Sequence, residues 1–204
     1  MQVFTFIVGQ LQTNCYLLVE HNECMVIDPG DAADFVTEQI QRRNLTLRAL
    51  IATHGHFDHI LAAGEIQLSF SIPLYIFKED LFLVQRLNET AQHFLGFDPQ
   101  AMPPQSTEWL TGGSLTIDAF TFKVILTPGH TPGSCCFYFP NEKTIFTGDT
   151  LFKQGIGRYD FSYSDGAQLH KSLNTLFSLP EETKVYSGHG AETTIGAEKQ
   201  RRSL

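Results

Sequence analysis

This chain of 204 residues lacks several features that would place it in a special class of protein. It has no apolar run of the about 20 residues that a helix needs to cross a bilayer, so we expect no membrane partner. Its N-terminus has neither the basic stretch nor the cleavage site of a secretory signal, which predicts a cytoplasmic protein. Lys and Arg number 14 against 22 Asp and Glu, for a net charge of −8. Because no basic stripe is available to neutralise phosphates, we expect no nucleic-acid partner.

The sequence also lacks the cysteine spacing of a disulfide framework or a thiolate metal site. Its cysteines form no C-x-x-C pair and lie in strand-like segments. We therefore expect buried free thiols in a reducing compartment. They are Cys15, Cys24, Cys135 and Cys136.

Apolar runs with turn-like flanks alternate with stretches of helical periodicity, which predicts an α/β protein. Helices follow groups of strands in both halves, a pattern typical of two packed sheets with helices outside. We expect one domain, 1–204, made of two halves (about 1–95 and 107–204) around a proline-bearing loop. The predicted helices are 33–43, 60–70, 78–94, 165–176 (with Asp165 as N-cap) and 191–202. The predicted strands are 3–8, 15–19, 25–27, 49–53, 74–77, 115–117, 120–126, 135–139, 144–147 and 184–187.

The densest functional signal is THGHFDH at 53–59, directly after an apolar strand. It places three imidazoles and one carboxylate, from His54, His56, Asp58 and His59, within six residues. Neutral imidazole and carboxylate are ligands that suit zinc, iron or manganese. A polar surface loop would give no reason for so many histidines, so the motif predicts a metal site.

Three more potential ligands follow apolar strands at glycine-bearing turns. They are His130 in LTPGHTPGS (126–134), Asp149 in IFTGDT (145–150) and His189 in YSGHG (186–190). Strand ends that meet at one edge of a sheet would build a site in a cleft. A single catalytic zinc needs only three protein ligands, whereas these seven donors suit two metals with a carboxylate between them.

Together these motifs resemble the metallo-β-lactamase superfamily of αββα metallohydrolases, in which two mixed sheets pack face to face. The resemblance covers nearly the whole chain and includes VIDPG (26–30), HTPGS (130–134), GDTLF (148–152) and GHG (188–190). GIGR (155–158) and the TTIG segment at 193–196 are most similar to the small glyoxalase II-like hydrolases, also called hydroxyacylglutathione hydrolase-like.

The resemblance implies two divalent metal ions, zinc by expectation, with iron or manganese as alternatives. It assigns His54, His56 and His130 to one metal, and Asp58, His59 and His189 to the other. Asp149 would bridge them, and Asp28 would support the metal loop. Asp58 and Asp149 are the expected catalytic residues. The implied reaction is hydrolysis of a small-molecule thioester by a metal-bound hydroxide, in a monomer or homodimer.

Residues that bind the substrate are harder to assign. Arg158 could clamp a substrate carboxylate, or it could form a salt bridge with Asp160 or another loop carboxylate. Tyr159 is the second candidate for substrate binding, and Tyr163 could also line the mouth of the site. Only 15 residues follow His189, too few for the helical domain that supplies much of the glutathione pocket in glyoxalase II. The thiol of the substrate therefore stays open.

Other functions remain open at this point. Persulfide dioxygenases share the resemblance, which would then place a single iron on His54, His130 and Asp149. Lactone or other ester hydrolysis would use the same chemistry as thioester hydrolysis. A metal-binding protein without activity would be expected to have lost ligands, and none of the seven is missing.

Overall fold

The computed structural model describes residues 1–202, in which strands form two sheets and a hairpin. The helices are α1 (Ala33–Arg42), α2 (Phe57–Ile60), α3 (Ala63–Ser69), α4 (Leu81–Gln85), α5 (Leu87–Leu95), α6 (Gly166–Leu176) and α7 (Ile195–Arg202). The strands are β1 (Gln2–Val8), β2 (Thr13–Glu20), β3 (Glu23–Ile27), β4 (Thr46–Ile51), β5 (Leu74–Ile76), β6 (Thr107–Trp109), β7 (Gly113–Ile117), β8 (Phe120–Leu126), β9 (Cys135–Phe139), β10 (Thr144–Gly148), β11 (Leu151–Phe152), β12 (Gly155–Ile156), β13 (Lys184–Ser187) and β14 (Thr193–Thr194).

Each large sheet is built from one part of the chain and contains both parallel and antiparallel pairs. The first has the order β1-β2-β3-β4-β5-β6, antiparallel from β1 to β3 and parallel from β3 to β6. The second has the order β14-β13-β10-β9-β8-β7, in which only β10 and β13 pair in parallel. Strands β11 and β12 form a separate hairpin.

The alternation of side chains along β2 shows how the layers pack. Leu17 lies in an apolar cluster with α1 residues such as Val36, on the outer face of the first sheet. Leu18 points the other way, into a second cluster with Phe122 and Phe137 of the second sheet. Because successive strand residues face opposite sides, both faces of β2 are buried. A third cluster lies under α6. The predicted αββα sandwich is therefore confirmed.

The helices differ from the sequence prediction mainly in where they break. The predicted helix 78–94 becomes a 3-10 turn, Lys78–Asp80, followed by α4 and α5, because the backbone leaves helical geometry at Arg86 (φ −104°, ψ 22°). The predicted helix 60–70 begins earlier and is divided into α2 and α3, while β14 displaces the start of the last helix to Ile195. Asp165 caps α6 as predicted, by accepting hydrogen bonds from two backbone amides. No described helix is long and apolar enough to cross a membrane.

Candidate metal centre

All seven predicted donors lie where strands of the sandwich end. His54 follows β4 of the first sheet, and α2 then carries Asp58 and His59. In the second sheet, His130, Asp149 and His189 follow β8, β10 and β13. The two sheets are tied together here, because the Cys135 amide donates to the Thr53 carbonyl at 2.9 Å. Both sheets therefore contribute donors to one edge of the molecule.

The first donor group consists of His54, His56 and His130. Nδ1 of His56 lies 3.0 Å from Nε2 of His54 and 3.0 Å from Nε2 of His130. Burial, followed by the charges of neighbouring histidines, lowers the pKa of His54 and holds that of His56 at about 3. These two rings are therefore neutral at physiological pH, the state in which imidazole binds a metal.

The second donor group consists of Asp58, His59 and His189. Oδ2 of Asp58 lies 3.5 Å from Nε2 of His59 and 3.3 Å from Nε2 of His189. Burial opposes protonation of His59, but the charges of Asp58, Asp149 and Asp28 outweigh it and raise its pKa. This group is therefore the more negative of the two, and it attracts a proton where no cation is bound.

Asp149 lies between the two groups and turns one oxygen toward each. Its Oδ2 is 3.5 Å from Nε2 of His130, and its Oδ1 is 3.4 Å from Nε2 of His59. Burial raises the pKa of this carboxyl, but the charge of His59 and its other histidine neighbours lower it overall, so it stays ionised. A carboxylate in this position could bridge two cations.

Unpaired buried atoms show that the donor set fits divalent cations. Among the described residues, three buried side-chain atoms lack a hydrogen-bond partner, and two of them are Nε2 of His59 and Oδ1 of Asp149. Such atoms are costly unless something else satisfies them. Gly188 also matches this arrangement, since a Cβ there would lie 2.2 Å from Oδ1 of Asp149.

The outer nitrogens of the histidines are held by hydrogen bonds that aim the inner nitrogens at the centre. Nδ1 of His130 donates to the Arg158 carbonyl at 2.7 Å, and Nδ1 of His189 donates to the Leu11 carbonyl at 3.0 Å. Nε2 of His56 lies 2.9 Å from the Tyr163 hydroxyl. Partners of this kind fix ring orientation and tautomer in metal sites.

Asp28 supports the second donor group, at the position that the sequence suggested. It is buried, and its Oδ2 accepts from Nδ1 of His59 at 3.0 Å. The Asp28 carboxylate also accepts two hydrogen bonds from Thr53, one from its backbone amide at 2.7 Å and one from its side-chain hydroxyl at 2.8 Å. The Thr53 hydroxyl is thereby left to accept from Nδ1 of His54 at 3.1 Å.

A cleft of about 400 Å³ opens onto both donor groups. Besides five of the donors, it is lined mostly by apolar and aromatic side chains, which favour an uncharged part of a ligand. The lining residues that are not donors are Leu11, Phe57, Thr90, Phe94, Phe152, Ile156, Arg158, Phe161 and Tyr163.

The two predicted substrate residues occupy different places. Arg158 lines the cleft, but its guanidinium already donates to both oxygens of Asp160, at 2.9 and 3.0 Å, and lies 4.5 Å from the centre of the Phe161 ring. Tyr159 lies outside the lining, with 51% of its surface exposed and its ring near His170. Tyr163 lines the cleft instead.

Sequence reasoning missed one residue beneath the site. Asp80 is fully buried and accepts hydrogen bonds from both turns that carry the first donor group. The only signals in the sequence were Gly55 and Gly133. A Cβ at Gly55 would lie 2.9 Å from Cβ of Asp80, and one at Gly133 would lie 2.6 Å from its Cγ.

Comparisons with known proteins cover nearly the whole chain. The sequence model of the metallo-β-lactamase superfamily matches residues 8–189, a range that contains all seven donors. A Haemophilus influenzae protein named hydroxyacylglutathione hydrolase GloC is 38% identical, over 95% of this chain and 92% of that protein. The crystal structure of BLEG-1 B3 metallo-β-lactamase has a TM-score of 0.90 at 37% identity, over 98% of this chain and 97% of that one. The structure of TTHA1623 in a di-iron-bound form has a TM-score of 0.89 at 36% identity, over 97% of this chain and 98% of that one.

Proposed function

This chain belongs to the metallo-β-lactamase superfamily, and from that membership we propose that it is a metal-dependent hydrolase that cleaves thioesters. The observation that carries the proposal is the position of Asp149, with one oxygen facing each donor group. The name of the GloC relative, a hydroxyacylglutathione hydrolase, supports a hydroxyacyl thioester as substrate.

The proposed ligands follow the two donor groups. His54, His56 and His130 would hold one divalent cation, the second donor group would hold another, and Asp149 would contribute to both. Zinc suits this set of imidazoles and carboxylates, as do iron and manganese. The di-iron form of TTHA1623 supports iron as the first alternative to zinc.

The reaction adds water to the thioester carbonyl and breaks the carbon–sulfur bond, giving a carboxylic acid and a thiol. Bound divalent cations supply polarisation of the carbonyl and a lower pKa for the attacking water. Asp58 and Asp149 remain carboxylates, because neighbouring histidines lower the pKa of each against the effect of burial. They are the catalytic residues, since both line the cleft and can accept the hydrogens of that water. A thiol leaves readily as its thiolate, so no proton donor is required.

The walls of the cleft orient the substrate and restrict access of water. Phe94 and Phe152 offer apolar surface next to the donors. Arg158 is the candidate partner for a carboxylate on the substrate. Its salt bridge with Asp160 places the guanidinium at the edge of the cleft, where the Asp160 carboxylate balances its charge.

The proposal is tested by metal content together with activity. The protein is purified without added metal, its metals are quantified per chain, and release of thiol from a 2-hydroxyacyl thioester of glutathione is followed. We expect two divalent ions per chain and thiol release that a chelator abolishes. One iron per chain with oxygen uptake on a thiol persulfide would instead establish the dioxygenase. Bound metal without turnover on thioesters, esters, lactones or persulfides would leave a metal-binding protein without enzyme activity.

A further inference from the structure

Asp80 is a buried carboxylate at the end of the 3-10 turn Lys78–Asp80. Its Oδ2 accepts from the Gly55 amide at 2.8 Å and from the Thr131 hydroxyl at 2.7 Å. Its Oδ1 accepts from the Gly133 amide at 2.7 Å. None of the salt bridges among the described residues includes Asp80, so these three donors are what stabilises its charge.

The three hydrogen bonds connect the two turns that carry the first donor group. Gly55 lies between His54 and His56, while Thr131 and Gly133 follow His130. Asp80 itself is separated from these partners by 25, 51 and 53 residues along the chain. One side chain therefore sets the distance between turns from different sheets.

The close fit around Asp80 leaves little freedom for either turn. A Cβ added at Gly133 would lie 2.6 Å from Cγ of Asp80, and one added at Gly55 would lie 2.9 Å from Cβ of Asp80. Real Cβ atoms do not approach so closely, so any larger residue at Gly133 would push its turn away from Asp80.

The second donor group is supported independently of Asp80. His59 is held by Asp28, whose carboxylate accepts from its Nδ1 at 3.0 Å. Asp58 accepts from the Thr13 hydroxyl at 2.9 Å, and His189 donates to a backbone carbonyl. Asp80 makes no hydrogen bond to any of these residues.

We propose that Asp80 is a positioning residue for the first donor group, which fixes the spacing of His54, His56 and His130 and thereby sets the metal affinity of that group alone. The inference rests on the proposed metal ligands. Asp28 differs from Asp80 because it contacts both groups: it accepts from Nδ1 of His59 and also from the Thr53 hydroxyl, which accepts from Nδ1 of His54.

Asp80→Asn tests this with almost no change in shape. In either orientation of the new side-chain amide, its NH₂ group faces the backbone N–H of Gly55 or that of Gly133. One of these two backbone donors therefore loses its acceptor. The turns must then separate at one of these two contacts.

The affinity of each group for Zn²⁺ is measured by competition with a chelator in two backgrounds. In the first background, His189→Ala removes a ligand of the second donor group, so the measured Zn²⁺ affinity is that of the first group. In the second background, His56→Ala removes a ligand of the first group, so the measured affinity is that of the second. We expect Asp80→Asn to weaken Zn²⁺ binding by about 10- to 100-fold in the first background and to leave the second nearly unchanged. The matched control, Thr13→Val, removes the hydroxyl that donates to Asp58 and should give the opposite pattern. An equal loss in both backgrounds, or none in the first, would overturn the proposal.

A measurement on the metal-free protein separates failure of this inference from failure of the proposed function. In Asp80→Asn, the imidazole nitrogen chemical shifts of His54, His56 and His130 should change, while those of His59 and His189 should not. This result is expected whether or not the protein hydrolyses thioesters. Shifts that change in both groups alike would contradict the separate support of the two groups.

Should Asp80→Asn fail to fold, Thr131 provides a milder test. Thr131→Val removes one of the three hydrogen bonds, whereas Thr131→Ser retains the hydroxyl. We expect Zn²⁺ binding to the first donor group to fall severalfold in the Val variant and to be restored in the Ser variant. Equal affinities in these two variants would overturn the role of this hydrogen bond.

Discussion

The hydroxyl of Tyr163 lies 2.9 Å from Nε2 of His56, the nitrogen that faces away from the donor groups. His56 must donate here if its Nδ1 is to offer a lone pair to the centre. The Tyr163 ring is held in place by Phe161, on which it stacks at 5.4 Å with an interplanar angle of 13°. A residue of the substrate cleft thus also orients a candidate metal ligand.

Replacing Tyr163 by Phe should therefore affect metal binding as well as catalysis. The variant keeps the ring stacking but removes the partner of Nε2 of His56. We expect the affinity for Zn²⁺ to fall by about 10-fold, and kcat/KM for the thioester to fall with it at limiting metal. Tyr159→Phe is the matched control, because Tyr159 lies outside the cleft and should leave both quantities unchanged. Equal behaviour of the two variants would contradict a positioning role for Tyr163.

Asp149→Asn should remove metal and activity together. An amide nitrogen is not a metal ligand, so the side chain could no longer face both donor groups with oxygen. We expect metal content to fall from two ions to one or fewer per chain and thioester hydrolysis to fall by more than about 100-fold, as determined by metal analysis and a thiol-release assay. A variant that retains two metals and full turnover would rule out bridging by Asp149.

Acidification should release metal from the second donor group first. Burial opposes protonation of His189, but its hydrogen bond to Asp58 and the charge of Asp149 raise its pKa, and the pKa of His59 is raised as well. A histidine with a raised pKa keeps its proton to a higher pH, and it must release that proton to bind a cation. Lowering the pH therefore favours the proton over the metal in this group.

In the first donor group the pKa values of two histidines shift in the opposite direction. Burial lowers the pKa of His56 to about 3 and also lowers that of His54, so acidification protonates these two rings less readily than those of the second donor group. Dialysis at stepwise lower pH, from about 8 to 5, should leave one ion per chain before both are lost. Simultaneous loss of both ions would contradict the difference between the groups.

Arg158→Ala should discriminate between substrates if Arg158 binds a carboxylate. We expect KM to rise by about 10-fold for a thioester that bears a carboxylate, with little change in kcat and little change for a neutral thioester. Asp160→Asn is the informative companion, because it frees the guanidinium from its present partner and should lower KM for the same anionic substrate. An equal effect of Arg158→Ala on both substrates would instead indicate that its contact with Phe161 shapes the cleft.

The motifs in the sequence predicted the sandwich and the place of all seven donors because each motif is local. His54, His56, Asp58 and His59 lie within one turn and one short helix, so their spacing alone brings them together. The strand β6 was missed because its three residues, Thr107–Trp109, show no extended apolar pattern. The break at Arg86 was missed because the helical periodicity continues across it.

Asp80 could not be found from the sequence for a different reason. Its partners lie 25 to 53 residues away, and a single Asp before an apolar stretch is typical of an exposed helix start. Arg158 shows a different limit, since one of its two predicted partners, a carboxylate on the substrate, is not part of the sequence. The structure shows the salt bridge to Asp160, and the role in substrate binding stays a prediction.

The division of donors between the two sheets has a consequence for the order of folding. The first sheet and α2 hold His54, His56, Asp58 and His59, while His130, Asp149 and His189 belong to the second sheet. Neither donor group is complete within one sheet, so neither can form before the sheets have docked. Pairings over such long stretches of chain form late, because the loop-closure entropy is lost before the contacts stabilise it. Metal capture at full affinity therefore requires that the two sheets have docked.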